Sequence, residues 1–135
     1  MDFNRLKAFL NDTDKFSQHN GITVTALSDG ACEAMLTAGD NTSANGYIST
    51  AALIALAEKA AVAAAYTCGY VCRCINTTVN LTGAFENGGV FTAKVVKVHH
   101  GRRTAVYDCE VFCSNELILK AGFTIIVTEE KVNAV

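Results

Sequence analysis

Ser49-Thr50-Ala51-Ala52-Leu53-Ile54-Ala55-Leu56-Ala57-Glu58-Lys59-Ala60-Ala61-Val62-Ala63-Ala64-Ala65-Tyr66 is the stretch on which the fold turns. Alanine dominates it and β-branched residues are few. Ser49 or Thr50 is a natural N-cap, so the composition predicts the strongest helix of the chain. The helix is apolar on nearly every side, which marks it as buried rather than amphipathic. A membrane span would need about 20 apolar residues and no central Glu58-Lys59 pair. No membrane partner is therefore expected, and the helix needs a protein surface to cover it.

The flanking sequence supplies that surface. After Gly69 the apolar residues alternate with period two in four runs, Val71 to Leu81, Val90 to Val98, Arg103 to Phe112 and Leu117 to Thr128. The turns between them read as Glu86-Asn87-Gly88-Gly89, His99-His100-Gly101-Arg102 and Ser114-Asn115-Glu116. In the last run Leu117, Leu119, Ala121, Phe123, Ile125 and Val127 are expected to face inward. Upstream, Gly21 to Leu27 and Ala31 to Thr37 flank Ser28-Asp29-Gly30, a hairpin signal. A polar loop, Ala38 to Gly46, leads into the helix. Asp2 to Leu10 carries Phe3, Leu6, Phe9 and Leu10 at helical spacing, a short helix expected to stop at Asn11-Asp12-Thr13-Asp14.

Assembled, these elements are α+β: an antiparallel sheet of about six strands wrapped around one long central helix, with a short N-terminal helix. The alanines let the strands approach the helix axis closely. The architecture this implies is the hotdog fold, and residues 1–135 are read as one domain. Eleven basic and 13 acidic residues give a net charge of −2, so no basic excess is available for a nucleic-acid backbone. The opening Met1-Asp2-Phe3-Asn4-Arg5 lacks the layout of a secretory signal, and a cytoplasmic location is expected. Six cysteines, Cys32, Cys68, Cys72, Cys74, Cys109 and Cys113, lack zinc-ligand spacing. They are read as buried free thiols, with no metal and no disulfide framework.

Glu58 is the residue that points to chemistry. A carboxylate in the middle of an apolar helix is costly to bury without compensation. Either Glu58 and Lys59 form a solvent-facing or paired edge, or Glu58 is held in an apolar site for use as a nucleophile or base. The helix start, Gly46 to Ala51, offers free backbone N–H groups and the positive end of the helix dipole, where an oxyanion can be held. Eight residues separate Thr50 from Glu58, about 12 Å along the axis. One carbonyl cannot reach both groups on a single helix. A site that uses both therefore takes them from two copies of the chain across a two-fold axis.

The segment Gly46 to Glu58 resembles the signature of hotdog-fold acyl-CoA thioesterases of the phenylacetyl-CoA (PaaI-like) type. In that pattern an Asn and a Gly precede His-Gly-Gly, and an acidic residue follows. Gly101-Arg102-Arg103 and Val106 to Phe112 also resemble that family's post-turn strand. The resemblance implies that Glu58 is the catalytic acid, attacking the thioester carbonyl or activating water against it. It places Thr50 on the Gly whose amide polarises that carbonyl. Ser49 replaces the His, and Ser43 stands at the family's Asn, with Asn41 and Asn45 beside it. Asn76 matches, loosely, a polar strand position that orients the attacking water. His-Gly-Gly has become Ser49-Thr50-Ala51, so a divergent enzyme and a non-catalytic acyl-CoA-binding module are both compatible with these residues.

The function expected is hydrolysis of an acyl-CoA thioester at the interface of a homodimer or a dimer of dimers. Glu58, Thr50, Ser49, Asn45 and Asn76 are its catalytic candidates. Arg73, Arg102 and Arg103 are candidate contacts for the coenzyme A phosphates. Coenzyme A enters only as part of the substrate, and no further cofactor is expected. His99-His100 are expected to be solvated turn residues.

Overall fold

The computed structural model describes residues 1–37, 39–82 and 89–133. Its elements are α1 (Phe3–Thr13), α2 (Lys15–His19), β1 (Ile22–Ser28), β2 (Ala31–Thr37), α3 (Thr50–Tyr66), β3 (Tyr70–Leu81), β4 (Val90–His100), β5 (Thr104–Cys113) and β6 (Glu116–Lys131). The six strands form one sheet in the order β1-β2-β4-β5-β6-β3, and every neighbouring pair is antiparallel. Helix α3 lies across one face and touches all six strands. No helix among the described residues is long and apolar enough to cross a membrane.

The close approach of α3 follows from small residues on both sides of the contact. Ala57, Ala60, Ala61 and Ala64 are fully buried on the helix, and Ala34 and Ala93 are fully buried on adjacent strands. Larger side chains fill the flanks: Leu36, Phe91, Val111, Leu119, Phe123 and Ile125 all point inward and are fully or almost fully buried. The outward positions of the same strands carry many polar or charged residues, with Val96 and Ile126 among the exposed apolar exceptions. Glu33, Lys94, Glu110, Lys120 and Asn80 form one row across β2, β4, β5, β6 and β3.

Several sequence expectations change in detail. The stop expected at Asn11 to Asp14 is a junction instead: α1 continues to Thr13, and Asp14 ends it while opening α2. The Asp14 carboxylate accepts from the Ser17 amide at 3.2 Å and from its hydroxyl at 2.8 Å, an N-cap arrangement. Strand β3 is not hairpinned to β4. It sits at the far edge beside β6, with β5 and β6 between it and β4 in the sheet. Glu86-Asn87-Gly88 of the segment between β3 and β4 lie outside the described residues. His99 and His100 end β4 rather than forming the turn, and His100 Nδ1 lies 2.7 Å from the hydroxyl of the buried Tyr107. Leu117 leaves the inward row of β6, because an extra residue between the Val111–Leu119 and Phe112–Leu117 pairs brings Ile118 inward beside Leu119. All six cysteines are free thiols, but only Cys32, Cys72 and Cys109 are buried; Cys68 is exposed.

The N-terminal helices close the β1 edge of the sheet. Asn11 donates its amide to Val24 O at 2.9 Å and accepts from Val24 N at 2.8 Å. The β1–β2 register slips between Val24 and Ala26 at this point, so Asn11 stands in for a neighbouring strand. Asn11→Ala leaves both Val24 groups without that partner, and urea denaturation should show a loss of about 1–3 kcal/mol. Ala61→Leu keeps helix propensity and overfills the fully buried contact between helix and sheet. It should also destabilise by about 1–3 kcal/mol, read as a lower Tm.

Candidate active site

Helix α3 is not covered on every side within one chain. Ala51, Ile54, Ala55 and Glu58 recur at helical spacing, and none of them is fully buried. With Phe16 and Lys59 they line an open groove of about 440 Å³. The helix that the sequence marks as apolar on nearly every side is thus left uncovered by its own chain along one apolar strip, and Glu58 lies in that strip. Phe16 comes from α2 and is 50% exposed.

The two charges at the centre of α3 have different fates. Lys59 Nζ is 3.1 Å from the Asp14 carboxylate and 5.3 Å from the centre of the Phe16 ring. This contact ties α2 to α3 and places Phe16 beside Glu58. Burial alone would raise the Asp14 pKa, but hydrogen bonds from Ser17 and Lys59 outweigh it and hold the carboxyl below its usual value. Glu58, by contrast, has no ion pair among the described residues. Burial raises its pKa; Lys59 opposes the shift, and nearby Asp14 adds to it. Of the two readings left open by the sequence, the paired edge applies to Lys59. Glu58 remains a half-buried carboxyl without a counter-ion.

The start of α3 lies at the other end of the strip. Ser49 has extended backbone angles and takes the N-cap position, but its side chain makes no capping hydrogen bond. Its carbonyl accepts from Ala52 N at 3.0 Å and Leu53 N at 3.3 Å. The Thr50 and Ala51 amides find no backbone partner among the described residues and remain available at the positive end of the dipole. Ser49 N donates to Asn41 O at 2.8 Å, which holds the preceding loop against the helix start.

That loop does not present its asparagines alike. Asn41 is engaged, donating its side-chain amide to Asn20 O at 2.8 Å. Ser43 donates its hydroxyl to Tyr47 O at 3.1 Å. Asn45 lies exposed at the tip of the turn closed by Gly46 N to Ser43 O, where Gly46 has φ +82°. Asn76 pairs with Thr124 on β6, one position from the inward pair Cys74–Ile125 and next to an extra residue, Ile75. It therefore projects from the sheet face opposite α3, and a single chain does not bring it to Glu58. Cys74 is on the helix side; burial raises its thiol pKa, and the proximity of Glu58 adds to the shift.

Arg73, Arg102 and Arg103 are exposed and gather at one end of the sheet. Arg73 pairs with Ile126, Ile126 with Thr104, and Arg103 O accepts from Val127 N at 2.8 Å. A larger hollow, about 570 Å³, lies on the outer sheet face and includes Lys94, Glu110 and Lys120. Lys120 pairs there with Glu110 at 4.0 Å and Lys94 with Glu33 at 3.8 Å. Asp108 also lines that hollow, with no ion pair among the described residues, but it is exposed. The half-buried unpaired carboxyl is Glu58 in the smaller groove, which is the better candidate for chemistry. The contributions of Phe16, Asp14 and Cys74 were missed in the sequence; Asp14 followed three residues later by Ser17 was the available signal of a second helix start.

No protein-family model and no curated protein sequence matches the chain. Solved structures do. The PaaI protein of the Escherichia coli phenylacetic acid degradation operon aligns over 94% of this chain and 97% of its own, with TM-score 0.86 and 19% identity. A mutant thioesterase from Pseudomonas aeruginosa aligns over 95% and 94%, with TM-score 0.82 and 23% identity. A hypothetical thioesterase from Streptococcus pneumoniae, solved with coenzyme A, aligns over 82% and 91%, with TM-score 0.77 and 21% identity. The chain has the hotdog fold, and its structural neighbours are PaaI-like thioesterases.

Proposed function

We propose that the chain hydrolyses an acyl-coenzyme A thioester at the interface of a homodimer. The observation that carries this reading is Glu58: a half-buried carboxyl with a raised pKa and no counter-ion, set in an uncovered apolar strip. The coenzyme A bound to a structural neighbour supports the choice of ligand. Glu58 of one copy acts as nucleophile or general base on the thioester carbonyl. The Thr50 amide of the second copy holds the developing oxyanion, with Ser49 and Asn45 as secondary polar contacts. Arg73, Arg102 and Arg103 at the sheet end are the proposed contacts for the coenzyme A phosphates. Asn76, on the outer face of the sheet, has no role in this arrangement within one chain.

Two surfaces that one chain leaves uncovered support the dimer. One is the strip on α3. The other is β3, an edge strand with Ile75 55% exposed and Tyr70 and Leu81 each 38% exposed. A second copy that covers both brings the start of one α3 toward the Glu58 of the other. It also desolvates the carboxyl further, which favours its protonated form near neutral pH.

Thiol release from a panel of acyl-coenzyme A thioesters should be measured for the wild-type chain and for Glu58→Gln. Loss of the base should reduce kcat by about 10²–10⁴-fold. Full activity in the variant would remove Glu58 from the mechanism, and binding without turnover by the wild type would favour the non-catalytic module. The wild-type kcat/KM should rise with pH through the raised Glu58 pKa and then level off, because only the ionised carboxylate attacks. A group whose folded pKa is raised adds stability at low pH and loses it as pH climbs through that value. Glu58→Gln should therefore be at least as stable as wild type near neutral pH, separating lost chemistry from lost fold.

A further inference from the structure

At the end of α3 the chain turns through Cys68 and Gly69 into β3. Gly69 has φ +94°, a left-handed backbone that lets the direction reverse at a single residue. The ladder with β6 slips between Tyr70 and Cys72, so this start of the strand is not regularly extended. Together these features fold Cys68 back toward Cys72, and their sulfur atoms lie 4.0 Å apart. Both thiols also approach one carbonyl: Tyr70 O is 3.9 Å from Cys68 Sγ and 3.4 Å from Cys72 Sγ. Cys68 is exposed and Cys72 is 2% exposed. A disulfide holds its sulfurs about 2.0 Å apart, so a closure of about 2 Å would bridge them.

We propose that Cys68 and Cys72 form an oxidisable dithiol, the target of a small-molecule disulfide such as glutathione disulfide. The exposed Cys68 enters first. Its thiolate attacks one sulfur of glutathione disulfide, a Cys68–glutathione disulfide forms, and one glutathione leaves and takes up the proton that Cys68 lost. Cys72, deprotonated in turn, attacks the Cys68 sulfur. The mixed S–S bond breaks, the second glutathione leaves with that proton, and Cys68–Cys72 is closed. Two protein thiols are oxidised and one glutathione disulfide is reduced to two thiols. Burial pushes the Cys72 thiol well above its ordinary range, and neighbouring Cys68 adds to the shift. Cys72 is therefore the resolving thiol and the exposed Cys68 the entering one. The other cysteines offer no equal: Cys32 and Cys109 are buried, and among the described residues neither Cys74 nor Cys113 has its sulfur in hydrogen-bond contact with a second thiol.

The test uses the full chain, reduced, exposed to glutathione disulfide, alkylated and digested with trypsin. Cleavage after Lys59 and Arg73 releases Ala60–Arg73, which contains Cys68 and Cys72 and no other cysteine. This peptide should lose its alkylation and become lighter by the mass of two hydrogens. Cys72→Ala should stop at a glutathione mixed disulfide on Cys68, and Cys68→Ser should leave Cys72 open to alkylation only after unfolding. The proposal is overturned if the treated wild-type peptide carries both alkyl groups, or if the bridge joins Cys68 of two copies. Retention of no glutathione on Cys68 in the Cys72→Ala chain would also overturn it. The wild-type peptide map stands whether or not either variant folds.

Discussion

The spacing between α3 and the sheet is the constraint on which the rest depends. Alanines on the helix and alanines on β2 and β4 meet at the centre of the contact, and larger side chains fill the margins. Close packing of this kind leaves no room for a polar group on the inner side of α3. Every charge the helix carries must lie on the side turned away from the strands. Glu58 and Lys59 are therefore confined to the uncovered flank, whatever their chemical role.

That confinement gives the groove its electrostatics. Lys59 is neutralised by Asp14, which also joins α1 to α2, and its ammonium lies over the Phe16 ring. Glu58 is left with apolar neighbours and a second carboxylate nearby. Both factors favour its neutral form, and both are local consequences of how α2 docks. The larger outer hollow has more charge, but its charges are either paired across strands or, at Asp108, exposed to solvent. Size alone does not identify a reactive site; an unsatisfied titratable group does.

The sequence made the central features legible because they repeat: alanine over seventeen residues of helix and period-two alternation in the strands. Glu58 stood out because an acidic residue breaks that regularity. Singular events were less legible. A capping aspartate shared by two helices looks like a stop, and an extra residue in β6 shifts Leu117 off its face without disturbing the apolar run. The position of β3 at the far edge depends on pairing between distant segments, which local periodicity does not encode. Asn76 rests on a loose match to a polar strand position of the resembled family, whereas its face is decided by the irregularity at Ile75.

The bond pair from Asn11 to Val24 has a consequence for how copies of the chain can associate. It occupies backbone groups on the outer side of β1, and α1 lies against that strand, so this end of the sheet is stoppered. Among the described residues, β3 is the sheet edge that no such side-chain pair occupies. Strand addition can therefore proceed from one margin alone, and two molecules that join there exhaust each other's capacity. Association along the hydrogen-bonding direction at β3, which the proposed dimer would use, would end at a pair rather than run on into a fibre.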